Sequence, residues 1–89
     1  MPRVIFTSNL RRHVACPESV VAGSTVAEAL AAVFADNRKL QGYVLDEHGG
    51  LRTHMVIFVD GRPVKDRVTL TDRVRPEDDI YVMQALSGG

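Results

Sequence analysis

Cysteine is nearly absent from this chain of 89 residues: Cys16 stands alone, so no intrachain disulfide can form and the framework of a small secreted scaffold is excluded. No apolar run approaches the roughly 20 residues that span a bilayer, and no signal-peptide pattern opens the chain. The cytoplasm is the expected compartment. An excess of either charge is also missing. Eleven Lys and Arg balance eleven Asp and Glu, so no global field draws the protein to nucleic acid or to an anionic membrane. Neither is expected as a partner. Charge is nevertheless uneven locally: Arg3, Arg11, Arg12 and His13 make the start basic, and Glu77, Asp78 and Asp79 lie near the end. Solvated surface is the simplest reading of both groups. Aromatics are few, at 6%, but 45% hydrophobic and 25% charged residues are the proportions of an ordered globular domain. A chain this short buries about 60–65% of its unfolded surface, which suffices for one core.

Arg3-Val4-Ile5-Phe6-Thr7 is a β-branched run that reads as a strand, and Ser8-Asn9 begins a turn. A second strand is expected between Arg12 and Val21, paired with the first as an antiparallel hairpin and interrupted at Pro17. Thr25 and Glu28 have capping-box spacing. Val26, Ala29, Leu30, Val33 and Phe34 then form one apolar stripe of a helix that Asp36 and Asn37 end. Between Leu40 and His54 the spacing suggests two short extended pieces around an exposed turn at Asp46–Gly50. Met55–Val59 is apolar on both alternations, as in a strand covered on both faces or one with an apolar outer surface. Asp60-Gly61 is a two-residue hairpin signal, and Arg62-Pro63-Val64 a return strand that Pro63 places at an edge. Arg75–Asp78 is a polar turn, and Ile80–Ala85 the last strand. The expected class is α+β. With the first and last strands parallel at the centre, four to five strands form a mixed sheet packed on one main helix, a β-grasp. The expected organisation is one domain over 1–85 and a flexible tail over 86–89.

That tail, Leu86-Ser87-Gly88-Gly89, follows a strand expected at the sheet centre. Glycine has no Cβ, so such a tail can thread a narrow channel in a partner. The chain resembles the MoaD/ThiS sulfur carriers, bacterial ubiquitin-like proteins. The resemblance rests on Val4-Ile5-Phe6, on Thr25-Val26-Ala27-Glu28-Ala29-Leu30, on Val59-Asp60-Gly61, and on Asp78-Asp79-Ile80 leading to Leu86-Ser87-Gly88-Gly89. It implies a protein co-substrate rather than an enzyme. An E1-like adenylating enzyme, using ATP and magnesium, would activate the Gly89 carboxylate, and a sulfur donor would convert it to a thiocarboxylate. Leu86, Ser87 and Gly88 would thread the partner's active site. The implied partners are that enzyme, the donor, a sulfur-accepting synthase and a JAMM-type protease. No stably bound cofactor and no metal ligand are implied, and a chain ending at Gly89 needs no proteolytic maturation. The resemblance also implies docking through Thr7, Pro63 and Met83, to which strand alternation adds Tyr81 and Phe58; core packing is the competing reading of Tyr81 and Met83.

Leu10-Arg11-Arg12-His13 and the segment through Gly50-Leu51-Arg52 resemble the carriers of cysteine and homocysteine synthesis. The alternatives are the small subunit of molybdopterin synthase and a ubiquitin-like modifier conjugated to lysines. Other chemistry-bearing residues read as structural. Cys16 lies among Val14, Ala15 and Val20, as a packed thiol does. His13, His48 and His54 lack metal-ligand spacing. Asp78-Asp79 reads as turn residues, and Gly49-Gly50 as a hairpin turn.

Overall fold

The computed structural model describes residues 1–7 and 18–84. Five strands, β1 (Arg3–Phe6), β2 (Ser19–Val20), β3 (Met55–Val59), β4 (Arg62–Pro63) and β5 (Asp79–Gln84), form one sheet in the order β2-β1-β5-β3-β4. β1 and β5 are parallel; the β1–β2, β3–β4 and β3–β5 pairs are antiparallel. β5 is therefore central, and the proline-bearing β4 is an edge, where a missing N–H leaves no gap in the ladder. Helix α1 (Val26–Ala35) and a shorter α2 (Arg38–Val44) accompany the sheet.

Alternation along the strands divides the sheet into two unlike faces. Val4 and Phe6 of β1, Met55 and Ile57 of β3, and Ile80 and Val82 of β5 are all at most 1% exposed. They join Val26, Ala29, Leu30 and Phe34 of α1 in one core. At about 25 cal/mol per Å² of buried apolar surface, this face is what holds helix to sheet.

The start of α1 is satisfied from several directions. Thr25 Oγ1 accepts the Glu28 N–H at 3.2 Å. The reciprocal half of the capping box is displaced by one residue, because the Glu28 carboxylate takes the N–H of Ser24 at 2.8 Å and its hydroxyl at 3.0 Å. These bonds hold the Glu28 carboxyl below its ordinary pKa. The next free donors, Val26 N–H and Ala27 N–H, bond the carbonyls of Asp72 and Leu70, so a distant loop completes the helix end.

The stretch after α1 departs from expectation. Its first part is a helix, not an extended piece. Asn37 caps it by accepting the Leu40 N–H at 3.2 Å, and Leu40 and Val44, one turn apart, are buried on the core. The turn that follows is present: Leu45 pairs with Leu51, and the Asp46 carboxylate accepts the N–H of His48 at 2.8 Å and of Gly50 at 3.0 Å. At the β3–β4 hairpin Asp60 (φ 51°) and Gly61 (φ 78°) both take the left-handed conformation that this two-residue turn demands. No helix among the described residues is long and apolar enough to cross a membrane.

Candidate docking face and C-terminal strand

The face of the sheet turned away from α1 carries a continuous apolar surface. Its middle row crosses four strands: Ile5 of β1 pairs with Tyr81 of β5, Tyr81 with Phe58 of β3, and Phe58 with Pro63 of β4. In the next row Met83 pairs with Val56. Thr7 extends β1 by one residue, its N–H donating to the Val82 carbonyl at 3.2 Å, and alternation puts it on the face of Ile5. Tyr81 is 40% and Met83 36% exposed, whereas Ile80 and Val82, which alternate with them along β5, are each 0% exposed. Core packing of Tyr81 and Met83 is thus excluded.

Charge closes one end of this surface. Arg3 and Asp79 pair in register one row below Ile5 and Tyr81. Arg3 Nε and Nη2 donate to the two Asp79 carboxylate oxygens at 3.2 and 3.0 Å, and Nη1 reaches Glu18 at 3.2 Å. An apolar centre rimmed by charge has the composition of a protein-binding surface.

No family model matches the chain, and no curated protein matches it in sequence. Solved structures do match. A chain of the Amycolatopsis orientalis BexX/CysO complex has a TM-score of 0.82 at 21% identity, over 100% of both chains. Mycobacterium tuberculosis CysO, described as an antigen, has a TM-score of 0.79 at 18% identity, covering 97% of this chain and 100% of that one. SAMP1 from Haloferax volcanii has a TM-score of 0.77 at 21% identity, covering 99% and 98%. The protein has the ubiquitin-like β-grasp fold.

In this β-grasp, the five docking residues expected from the sequence, Thr7, Phe58, Pro63, Tyr81 and Met83, share the outer face. Ile5 and Val56, which the sequence reading passed over, complete it; both are half-buried. The parallel pairing of β1 with β5 was the available signal, since it sets Ile5 beside Tyr81. Leu86, Ser87, Gly88 and Gly89 lie outside the described residues, as do His13 and Cys16. β5 ends at Gln84, which pairs with Met55, at the end of the sheet where Thr7 continues β1.

The remaining chemistry-bearing residues have structural work. Asp78 is buried and accepts the Arg75 N–H at 2.8 Å, while Asp79 faces Arg3, so the adjacent carboxylates serve different partners. His48 Nε2 lies 3.7 Å from Glu47 Oε1 on the exposed turn, and His54 is exposed. Among the described residues no group of three or more His, Cys, Asp or Glu could hold a metal ion.

Proposed function

We propose that this protein is a ubiquitin-like sulfur carrier that docks on an E1-like adenylating enzyme through its outer sheet face and presents Gly89 for activation. The supporting observation is the pattern on β5. The strand that leads to the Gly-Gly sequence exposes Tyr81 and Met83 on one side and anchors Ile80 and Val82 in the core on the other. A partner gripping that face holds the root of the tail, and immobilising a reactant this way converts a bimolecular encounter into an intramolecular one.

The chemistry then proceeds on the carrier rather than by it. A Gly89 carboxylate oxygen attacks the α-phosphorus of ATP, bound with magnesium by the partner, and pyrophosphate leaves. A carboxylate is a poor electrophile, and the mixed anhydride is a good one. A sulfur nucleophile at the oxidation level of sulfide attacks the carbonyl and expels AMP, leaving a C-terminal thiocarboxylate. The soft, anionic sulfur is then delivered inside a synthase that excludes water. Cysteine or homocysteine synthesis is the favoured destination, on the resemblance of Leu10–His13 and Gly50–Arg52. Conjugation to lysines is the second reading, supported by the match to SAMP1, a protein described elsewhere among the matches as a small archaeal modifier protein.

Intact mass of the protein isolated from its own cells tests the proposal. The expected result is replacement of one oxygen by sulfur, localised to Gly89 and absent when Gly89 is deleted. An unmodified Gly89 refutes the carrier reading, and Gly89 linked to lysines of other proteins replaces it with the modifier.

A further inference from the structure

A second surface lies beside the β3–β4 hairpin, where the segment Asp72–Asp78 runs past it and encloses an open groove of about 520 Å³. Four cations, Arg62, Lys65, Arg73 and Arg75, line the groove against three carboxylates, Asp60, Asp72 and Asp78. The carboxylates are already occupied. Asp72 accepts the backbone N–H groups of Lys65 and Asp66, each at 2.9 Å, and so ties the two banks of the groove together. Asp78 accepts the Arg75 N–H, and Asp60 Oδ2 lies 3.6 Å from Arg75 Nη2. Arg75 is thereby paired.

Arg62, Lys65 and Arg73 make no such ion pair, although the charge of Arg73 acts on the Glu28 carboxyl. All three are exposed, and none has a carboxylate within ion-pairing distance among the described residues. In a protein whose formal charge is zero, four cations against three carboxylates leave this groove with an excess of one positive charge, carried on exposed side chains. Val59, packed against the core, and the exposed Pro63 also line the groove. Pro63 also borders the outer docking face through its pairing with Phe58.

We propose that this groove binds an extended acidic segment of a partner protein, its carboxylates meeting Arg62, Lys65 and Arg73 and its aliphatic stems lying against the exposed Pro63. The open shape and the exposed Pro63 suit a peptide better than a compact phosphate, which gains nothing from an apolar contact. The inference stands whether or not Gly89 is charged.

The test is titration of the ¹⁵N-labelled full chain with a hexaglutamate peptide, at low and at high salt. The expected result is shifts of the Arg62, Lys65 and Arg73 amide signals that vanish on screening by salt. The double variant R62Q/K65Q should bind about tenfold more weakly, the loss expected for two exposed charge contacts. R38Q/K39Q, which removes two exposed cations from α2, should bind as the unsubstituted protein does. Absence of binding, an equal loss in R38Q/K39Q, or equal shifts with inorganic phosphate would each overturn the proposal.

Discussion

Neighbouring residues of β5 should respond to substitution in opposite ways. Ile80 is 0% exposed and Tyr81 is 40% exposed, one on each face of the same strand. Ile80→Ala removes three carbons from a closed core and should cost about 2–5 kcal/mol, the range for buried aliphatic truncations. At about 0.05–0.15 kcal/mol per residue the whole fold has about 4–13 kcal/mol of stability, so this one change takes a large share of it. Tyr81→Thr places a β-branched side chain that suits a strand and loses only the cross-strand contacts with Ile5 and Phe58, about 0.2–1 kcal/mol. Urea denaturation of the two variants measures both values directly, with an unchanged slope showing that the unfolding reaction is the same. Equal destabilisation by the two substitutions would mean that the Tyr81 face is packed, and the docking surface would be lost with it.

Two further outcomes follow from the structure. The Asp66 carboxyl is held well below its ordinary pKa of 3.8 by the hydroxyls of Thr69 and Thr71 and by the Thr69 and Thr71 N–H groups. Its contribution is complete above about pH 4 and is lost as pH falls through the lower folded value, so Asp66→Asn should be less stable at neutral pH with a gap that narrows in acid; a gap independent of pH in denaturant titrations refutes this. Inserting two glycines between Gln84 and Ala85 should leave stability within about 0.5 kcal/mol and lower the yield of Gly89 thiocarboxylate measured by intact mass, whereas an undiminished yield would show that tail length is not matched to the docked partner.

The parts of the fold legible in the sequence are those with a strong period or a turn signal. The stripe Val26, Ala29, Leu30 and Phe34 has four buried members, and Asp60-Gly61 permits few alternatives to a tight hairpin. Helix α2 was hidden because its seven residues bury only Leu40 and Val44, and Gly42 lies between them. Two apolar residues in seven do not establish a period. Asn37 added to the difficulty, since one residue follows the end of α1 and caps the start of α2. For the docking face, alternation within β5 was enough to place Tyr81 and Met83 together. Ile5 and Val56 needed the pairing register between strands far apart in sequence. The cationic groove was illegible for a similar reason: Arg62 and Arg73 become neighbours only when Asp72 fastens its segment to Lys65 and Asp66.

In the proposed function, docking and tail chemistry are coupled by covalent geometry. Gly89 lies six residue steps beyond Met83, and at about 3.3–3.6 Å per residue these span at most about 22 Å. On the proposed function, a partner seated on the outer face would hold its nucleotide within that radius of Met83. The radius has meaning only if β5 stays in register. A slip of one residue against β1 and β3 would turn Ile80 and Val82 outward and drive Tyr81 and Met83 into the core. Burial of Ile80 and Val82 in the core shared with α1 thus locks the register of the strand that precedes Leu86-Ser87-Gly88-Gly89 in sequence.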